Sequence, residues 1–250
     1  MIQSYFDKIT ELQTLVMDKE KKKMEEAAKI IAKKISNDGI IQVFGCGHSH
    51  ILAEEVFFRA GSLACIKPIL HEPLMLHEGA VLSAQIEKRN GYAKRFLQYE
   101  DIRADDVVIV ISTSGRNPVP IDVVLYAKDK GAFVIGITSK KYAKSQGSLH
   151  ETGEYLHDVV DLVIDNHAFV GDAVLEHPSV HASFSPTSTV IGSFILHAIF
   201  SECIVEMGKN KVEPPVFISG NIDGSSKYNL SLVERYKERI PKLTEGLLYH

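Results

Sequence analysis

Two hydrophobic patterns alternate along the chain. Short apolar runs rich in β-branched residues recur at positions 40–44, 64–70, 107–111, 133–137 and 159–164. Runs of this kind read as strands buried on both faces, as in a parallel sheet. Elsewhere apolar positions return every three or four residues, the helical period. Ile2, Phe6, Ile9, Leu12 and Val16, then Met24, Ala27, Ile31 and Ile35, form one such stripe over 1–36. The charge run at 18–23 interrupts it, as a solvated helix face or a junction between two helices. Further helices are expected at 51–60, 91–99, 119–130, 190–207 and 229–240. The segments 140–153, 166–186 and 217–228 read as loops or short irregular pieces. Strands separated by helical patterns mean βαβ units, so the expected class is α/β with a doubly wound, five-stranded parallel sheet.

Composition narrows the function. A chain of 250 residues that is 45% hydrophobic can build a sizeable core as one large or two small domains. A net charge of −4 and a pI near 6.3 argue against nucleic acid as a partner. Three widely spaced cysteines suggest no disulfide framework and suit a reducing cytoplasm. Residues 1–34 are mixed and charged, without the apolar core of a signal peptide. The most apolar run, 190–200, is too short to span a bilayer and contains His197, so no membrane partner is expected.

The chemistry concentrates at 105–118, read as DDVVIVISTSGRNP. A buried strand runs into Ser112, Thr113, Ser114, Gly115, Arg116 and Asn117, and a helix opens after Pro118. The free amides and positive dipole end of a helix N-terminus favour an anion, and hydroxyls add donors without charge. A dianionic phosphate ester suits this array better than a carboxylate. No Gly-Lys-Ser/Thr follows, so it is not a nucleotide P-loop.

A second strand–turn–helix passes through Gly45-Cys46-Gly47-His48-Ser49-His50. A dinucleotide fingerprint would need glycine where His50 stands, although Glu72 could mimic the ribose-binding acid. Cys46, His48 and His50 alternate too tightly for usual metal-ligand spacing.

Ser-x-Ser-Gly-x-Asn after a buried strand resembles the SIS (sugar isomerase) domain, and Gly-x-Gly-x-Ser resembles that family's first sugar-phosphate loop. The resemblance implies a flavodoxin-like sheet whose two loops face one crevice. It implies phosphate binding by Gly47 and Ser49 in the first loop, and by Ser112, Thr113, Ser114, Gly115 and Asn117 in the second. Thr187, Ser188 and Thr189 precede the most apolar helix. They are either a plain N-cap or a third hydroxyl cluster aimed at the ligand, as in the etherases and lyases of this group.

Isomerisation of a phosphosugar needs a base beside the carbonyl and a group that moves a proton between two oxygens. Ala53-Glu54-Glu55-Val56 resembles Ala-Glu-Glu-Leu of phosphoheptose isomerases, which makes Glu55 the base. The gap from Ser49 is one helical turn shorter than in that family, an axial shift of roughly 5 to 6 Å. His77 and Glu78 are second candidates, because hexosamine isomerase domains place an acid and a His after the second strand. His197 reads as a satisfied core histidine, although phosphoheptose isomerases carry a working His near that helix at another offset.

The expectation is a helical extension at 1–36, an SIS domain at 37–210 and a C-terminal extension at 211–250. The function implied is aldose–ketose isomerisation of a sugar phosphate, with no required cofactor, in a homo-oligomeric (dimeric or tetrameric) cytoplasmic protein. An amino-sugar-phosphate lyase or etherase, or a non-catalytic phosphosugar sensor, is the alternative.

Overall fold

The computed structural model describes residues 1–246. Helix α1 is Ile2–Ser36, β1 is Ile41–Gly45, α2 is His50–Val56 and β2 is Ile66–Ile69. Helices α3 (Ala80–Ile86) and α4 (Lys94–Leu97) precede β3 (Val107–Ile111), α5 (Pro118–Asp129) and β4 (Phe133–Thr138). Two short helices, α6 (Lys140–Lys144) and α7 (Leu156–Val159), lead to β5 (Leu162–Asp165). A hairpin of β6 (Leu175–His177) and β7 (Val180–Phe184) then precedes α8 (Ser188–Lys209) and α9 (Ser225–Tyr236).

The main sheet has five parallel strands in the order β2-β1-β3-β4-β5. This is the expected doubly wound, flavodoxin-like sheet. Successive strand residues point to opposite faces. Val107, Ile109 and Ile111 enter one core with α1, α2, α8 and α9. Val108 and Val110 enter the other, with α3, α4, α5 and α7. Both cores must be filled, so β3 is aliphatic throughout.

The run at 18–23 does not break α1, which is a continuous 35-residue helix. It stays helical because one of its charges, Glu20, turns inward and is 4% exposed. Lys23 Nζ lies 2.6 Å from Glu20 Oε2, His167 Nε2 lies 3.5 Å from Oε1, and the Asp165 amide donates to Oε2. Burial pushes this carboxyl up, but His167, Lys23 and the Asp165 amide outweigh it and bring it down to about 2 from 4.5. A depressed carboxyl stabilises the fold above its unfolded pKa and loses that contribution as pH falls. The thermal midpoint is therefore expected to fall between about pH 4.5 and pH 2, with a shallower fall in Glu20→Gln. Equal slopes in the two proteins would remove Glu20 as a source.

The tail returns to its own chain. Phe217 is buried and pairs with Ser62 and Gly61 through backbone bonds. Tyr236 and Ile240 are buried in the same core as α1. Arg239 reaches Asp106, which precedes β3 and has no exposed surface. Asp106 also accepts from the Ile40 and Arg103 amides and from Gln42 Nε2.

Three local expectations are corrected. The helix expected over 51–60 stops at Val56, because Phe57 is extended and Phe58 turns to φ +45°. The β6–β7 hairpin lies within the segment read as loop; β7 is mostly exposed, so no burial pattern marks it. The apolar stretch 190–200 belongs to a 22-residue helix, long enough to cross a bilayer. Ile191, Ile195, Ile199 and Cys203 on α8 instead pack in the core with α1.

Candidate functional site

The chain leaves β1 toward the core face that holds α2, and leaves β3 toward the opposite face that holds α5. These strands are adjacent and parallel, with Gly45 paired to Ile111. Their loops must part, which opens a crevice at the carboxyl end of the sheet. A cleft of ≈ 340 Å³ lies there. Gly47, His48 and Ser49 line one side; Ser112, Thr113, Ser114 and Asn117 line the other.

The first loop folds back tightly on its strand. A Cβ on Gly45 would lie 2.5 Å from the Ser49 carbonyl carbon, so only glycine fits. His50 is buried, with its Nδ1 against the Gly47 carbonyl. The bulky residue that argued against a dinucleotide loop is thus a strut inside this one. In the second loop, Ser112 and Gly115 are braces. Ser112 is 7% exposed, and its Oγ accepts from the Gly115 amide at 3.3 Å. Gly115 adopts φ +60°, where a Cβ would meet Thr138 Oγ1 at 2.6 Å. It is not part of the cleft lining.

Thr113 and Ser114 are partly exposed to the cleft. Their amides, like those of Gly47 and His48, donate to no acceptor among the described residues. The start of α5 contributes less than its sequence suggests. Pro118 and Pro120 have no N–H, and the Val119 amide donates to the Glu87 carbonyl at 3.2 Å. The donors at this end are therefore loop amides and hydroxyls.

At the third cluster, Thr187 and Ser188 each donate an amide and a hydroxyl to Asp172, at 2.6 to 3.1 Å. Thr187 is fully buried. The N-terminus of α8 is thus capped by the chain's own carboxylate, brought in from a distant loop. Ser188 and Asp172 still line the cleft, whereas Thr189 does not. The Ser188 hydroxyl donates its hydrogen bond to Asp172 Oδ2, so this wall presents acceptors.

The candidate bases fall in two places. Glu55 and His197 come together, with Oε1 and Nε2 3.3 Å apart, and Arg59 Nη1 is 3.0 Å from Glu55 Oε2. His197 has a 38% exposed side chain, which corrects its reading as a core histidine. Neither Glu55 nor His197 lines the cleft of its own chain. His77 and Glu78 are 3.6 Å apart and largely exposed. His77 borders an adjacent depression with Glu54, His71 and Glu72, and Leu76 is that segment's residue in the cleft.

Sequence reasoning passed over Glu87, Tyr142 and Asp172, which also line the cleft. Glu87 follows α3, and its Oε1 accepts from Asn117 Nδ2 at 2.8 Å. Burial pushes its carboxyl up. In the sequence it heads Glu-Lys-Arg, which reads as a solvated helix end; only the Asn117 contact reveals it. Among the described residues no group of three or more His, Cys, Asp or Glu could hold a metal ion. Burial, and then the charge of Glu87, push the Cys46 thiol up, which disfavours a thiolate ligand.

Comparisons with known proteins bear on the family and the fold. The chain is 59% identical over 246 residues to UPF0309 protein GK1441 of Geobacillus kaustophilus, covering 98% of each. It is 55% identical to UPF0309 protein lin2794 of Listeria innocua, covering 99% of this chain and all of that one. Among solved structures it is similar to phosphoheptose isomerase GmhA from Neisseria gonorrhoeae. The TM-score is 0.53 at 18% identity, over 83% of this chain and 97% of that one. The family model described as SIS domain matches residues 4–139, which include both loops of the crevice, so this chain belongs to the SIS domain family.

Proposed function

We propose that the cleft binds a sugar phosphate and that the protein interconverts its aldose and ketose forms. The observation that carries the reading is the convergence of two donor loops at the switch point. Unpartnered amides of Gly47, His48, Thr113 and Ser114 surround a cleft edged by the hydroxyls of Ser49, Ser112, Thr113 and Ser114. No Lys or Arg lines it. Neutral donors in such number satisfy the acceptor oxygens of a phosphate ester and leave the sugar facing the Glu87 and Asp172 wall. The phosphoheptose isomerase with a similar fold supports the reaction class.

In this reading Glu55 is the base that removes the carbon-bound proton, and His197 orients it. The pair lies outside its own cleft, on a face where Ile51 and Val190 are 38% and 43% exposed. The proposed assembly is a homo-oligomer in which this face meets the cleft of a second copy. His77, in the neighbouring depression, and the exposed Glu78 beside it have no part in the step in this reading.

The test is a thermal-shift screen against aldose, ketose and amino-sugar phosphates, with inorganic phosphate and NAD as controls. A ligand that binds the native state raises the midpoint with its concentration relative to Kd, by about 2.7 kcal/mol of added stability at a hundredfold excess over Kd. A concentration-dependent rise with one sugar phosphate class, followed by interconversion of its aldose and ketose, is the expected result. No rise with any of them, against a rise with NAD, would overturn the reading.

A further inference from the structure

We propose that Glu87 is a second catalytic residue: its carboxyl passes the proton between the two oxygens of the bound sugar phosphate, within the cleft of its own subunit. The inference rests on the isomerase reading above.

Glu87 is held from three sides. Its amide donates to the Ser83 carbonyl at 3.0 Å, and its own carbonyl accepts from the Val119 amide at 3.2 Å. Oε1 accepts from Asn117 Nδ2 at 2.8 Å, and Asn117 closes the hydroxyl-rich loop. No other donor to this carboxyl occurs among the described residues. It lines the cleft with one oxygen anchored and the other uncommitted. Asp172, the other carboxylate there, already accepts four hydrogen bonds from Thr187 and Ser188, which hold it as the cap of α8.

The surroundings of Glu87 act on its proton in opposite directions. Burial raises its pKa, and Lys88 on its own segment lowers it less. Cys46, at the end of β1, lines the same cleft as a neutral thiol, its pKa raised by burial. The other titratable groups of the cleft are His48, Tyr142 and Asp172, and no Lys or Arg lines it. A raised carboxyl pKa is the direction a proton donor needs, and the free oxygen of Glu87 at the cleft wall gives that proton a route to the sugar.

The step balances without a co-reactant. The base takes the C2 proton, the C2–H pair forms the C1=C2 bond, and the carbonyl pair moves to O1, which takes the Glu87 proton. The enediol then returns its O2 proton to Glu87, C2=O forms, and the base returns its proton to C1. Both carboxyl groups end as they began.

The test compares wild type, Glu87→Gln and Glu87→Asp on the sugar phosphate identified by the thermal-shift screen. Glu87→Gln should lower kcat by about 10²–10⁴-fold with KM nearly unchanged. The ligand-induced rise in midpoint should persist. The basic limb of the kcat/KM–pH profile should vanish in Glu87→Gln and be displaced in Glu87→Asp. A Glu87→Gln protein within about threefold of wild type, with its basic limb intact, overturns this role and leaves the isomerase reading standing. If Glu87→Gln does not fold, an undisplaced basic limb in Glu87→Asp overturns it. A wild type that binds sugar phosphates and interconverts none overturns both.

Discussion

Glu55→Gln is expected to lower turnover by about 10²–10⁴-fold, the usual contribution of a general base. The amide keeps the size of the side chain and a contact with His197, but cannot accept a proton from carbon. The phosphate donors belong to the cleft loops and not to Glu55, so the rise in midpoint with ligand should persist. A sensor would show an unchanged ligand response and no turnover in either protein. Sharing of the site can be read in the same assay. Glu55→Gln should regain activity when assembled with a Ser114→Trp chain, whose own cleft is filled. Hybrids with no activity would place the base within one subunit.

Asp106→Ala is expected to cost about 3–5 kcal/mol, the range for removing one partner of a buried ion pair. Asp106 is fully buried and receives Arg239 Nη2 at 2.8 and 3.0 Å, Gln42 Nε2 at 3.0 Å, and the amides of Ile40 and Arg103. Alanine leaves the Ile40 and Arg103 amides without their acceptor and the guanidinium with only the half-exposed Asp101 as counter-charge. Urea denaturation should show a lower midpoint at an unchanged m-value. A loss under about 1 kcal/mol would mean that the Asp106 clasp adds little to the other contacts that hold the tail.

The strands were legible because burial on both faces leaves little choice but β-branched and aliphatic residues. Val107–Ile111 falls where its five apolar residues stand. The loops were legible because a tight return onto a strand demands glycine at Gly45 and at the positive-φ Gly115. Contacts between distant segments left no such trace. Asp172 and Thr187 are 15 positions apart, Glu87 and Asn117 30, and Glu55 and His197 142. No periodicity encodes those meetings. Glu87 reads as one more charged residue in a charged stretch, and Glu20 as part of a solvated run. The hairpin was missed for the opposite reason, since a strand with both faces in water obeys no burial pattern.

The clasp between Asp106 and Arg239 joins residues 133 positions apart, and α1 packs on α8 in one core. During synthesis, β3 emerges with its buried carboxylate lacking a counter-charge, and α1 waits with an uncovered apolar stripe. Neither is satisfied until the last helices have left the ribosome. The nascent chain therefore cannot complete its fold piecemeal.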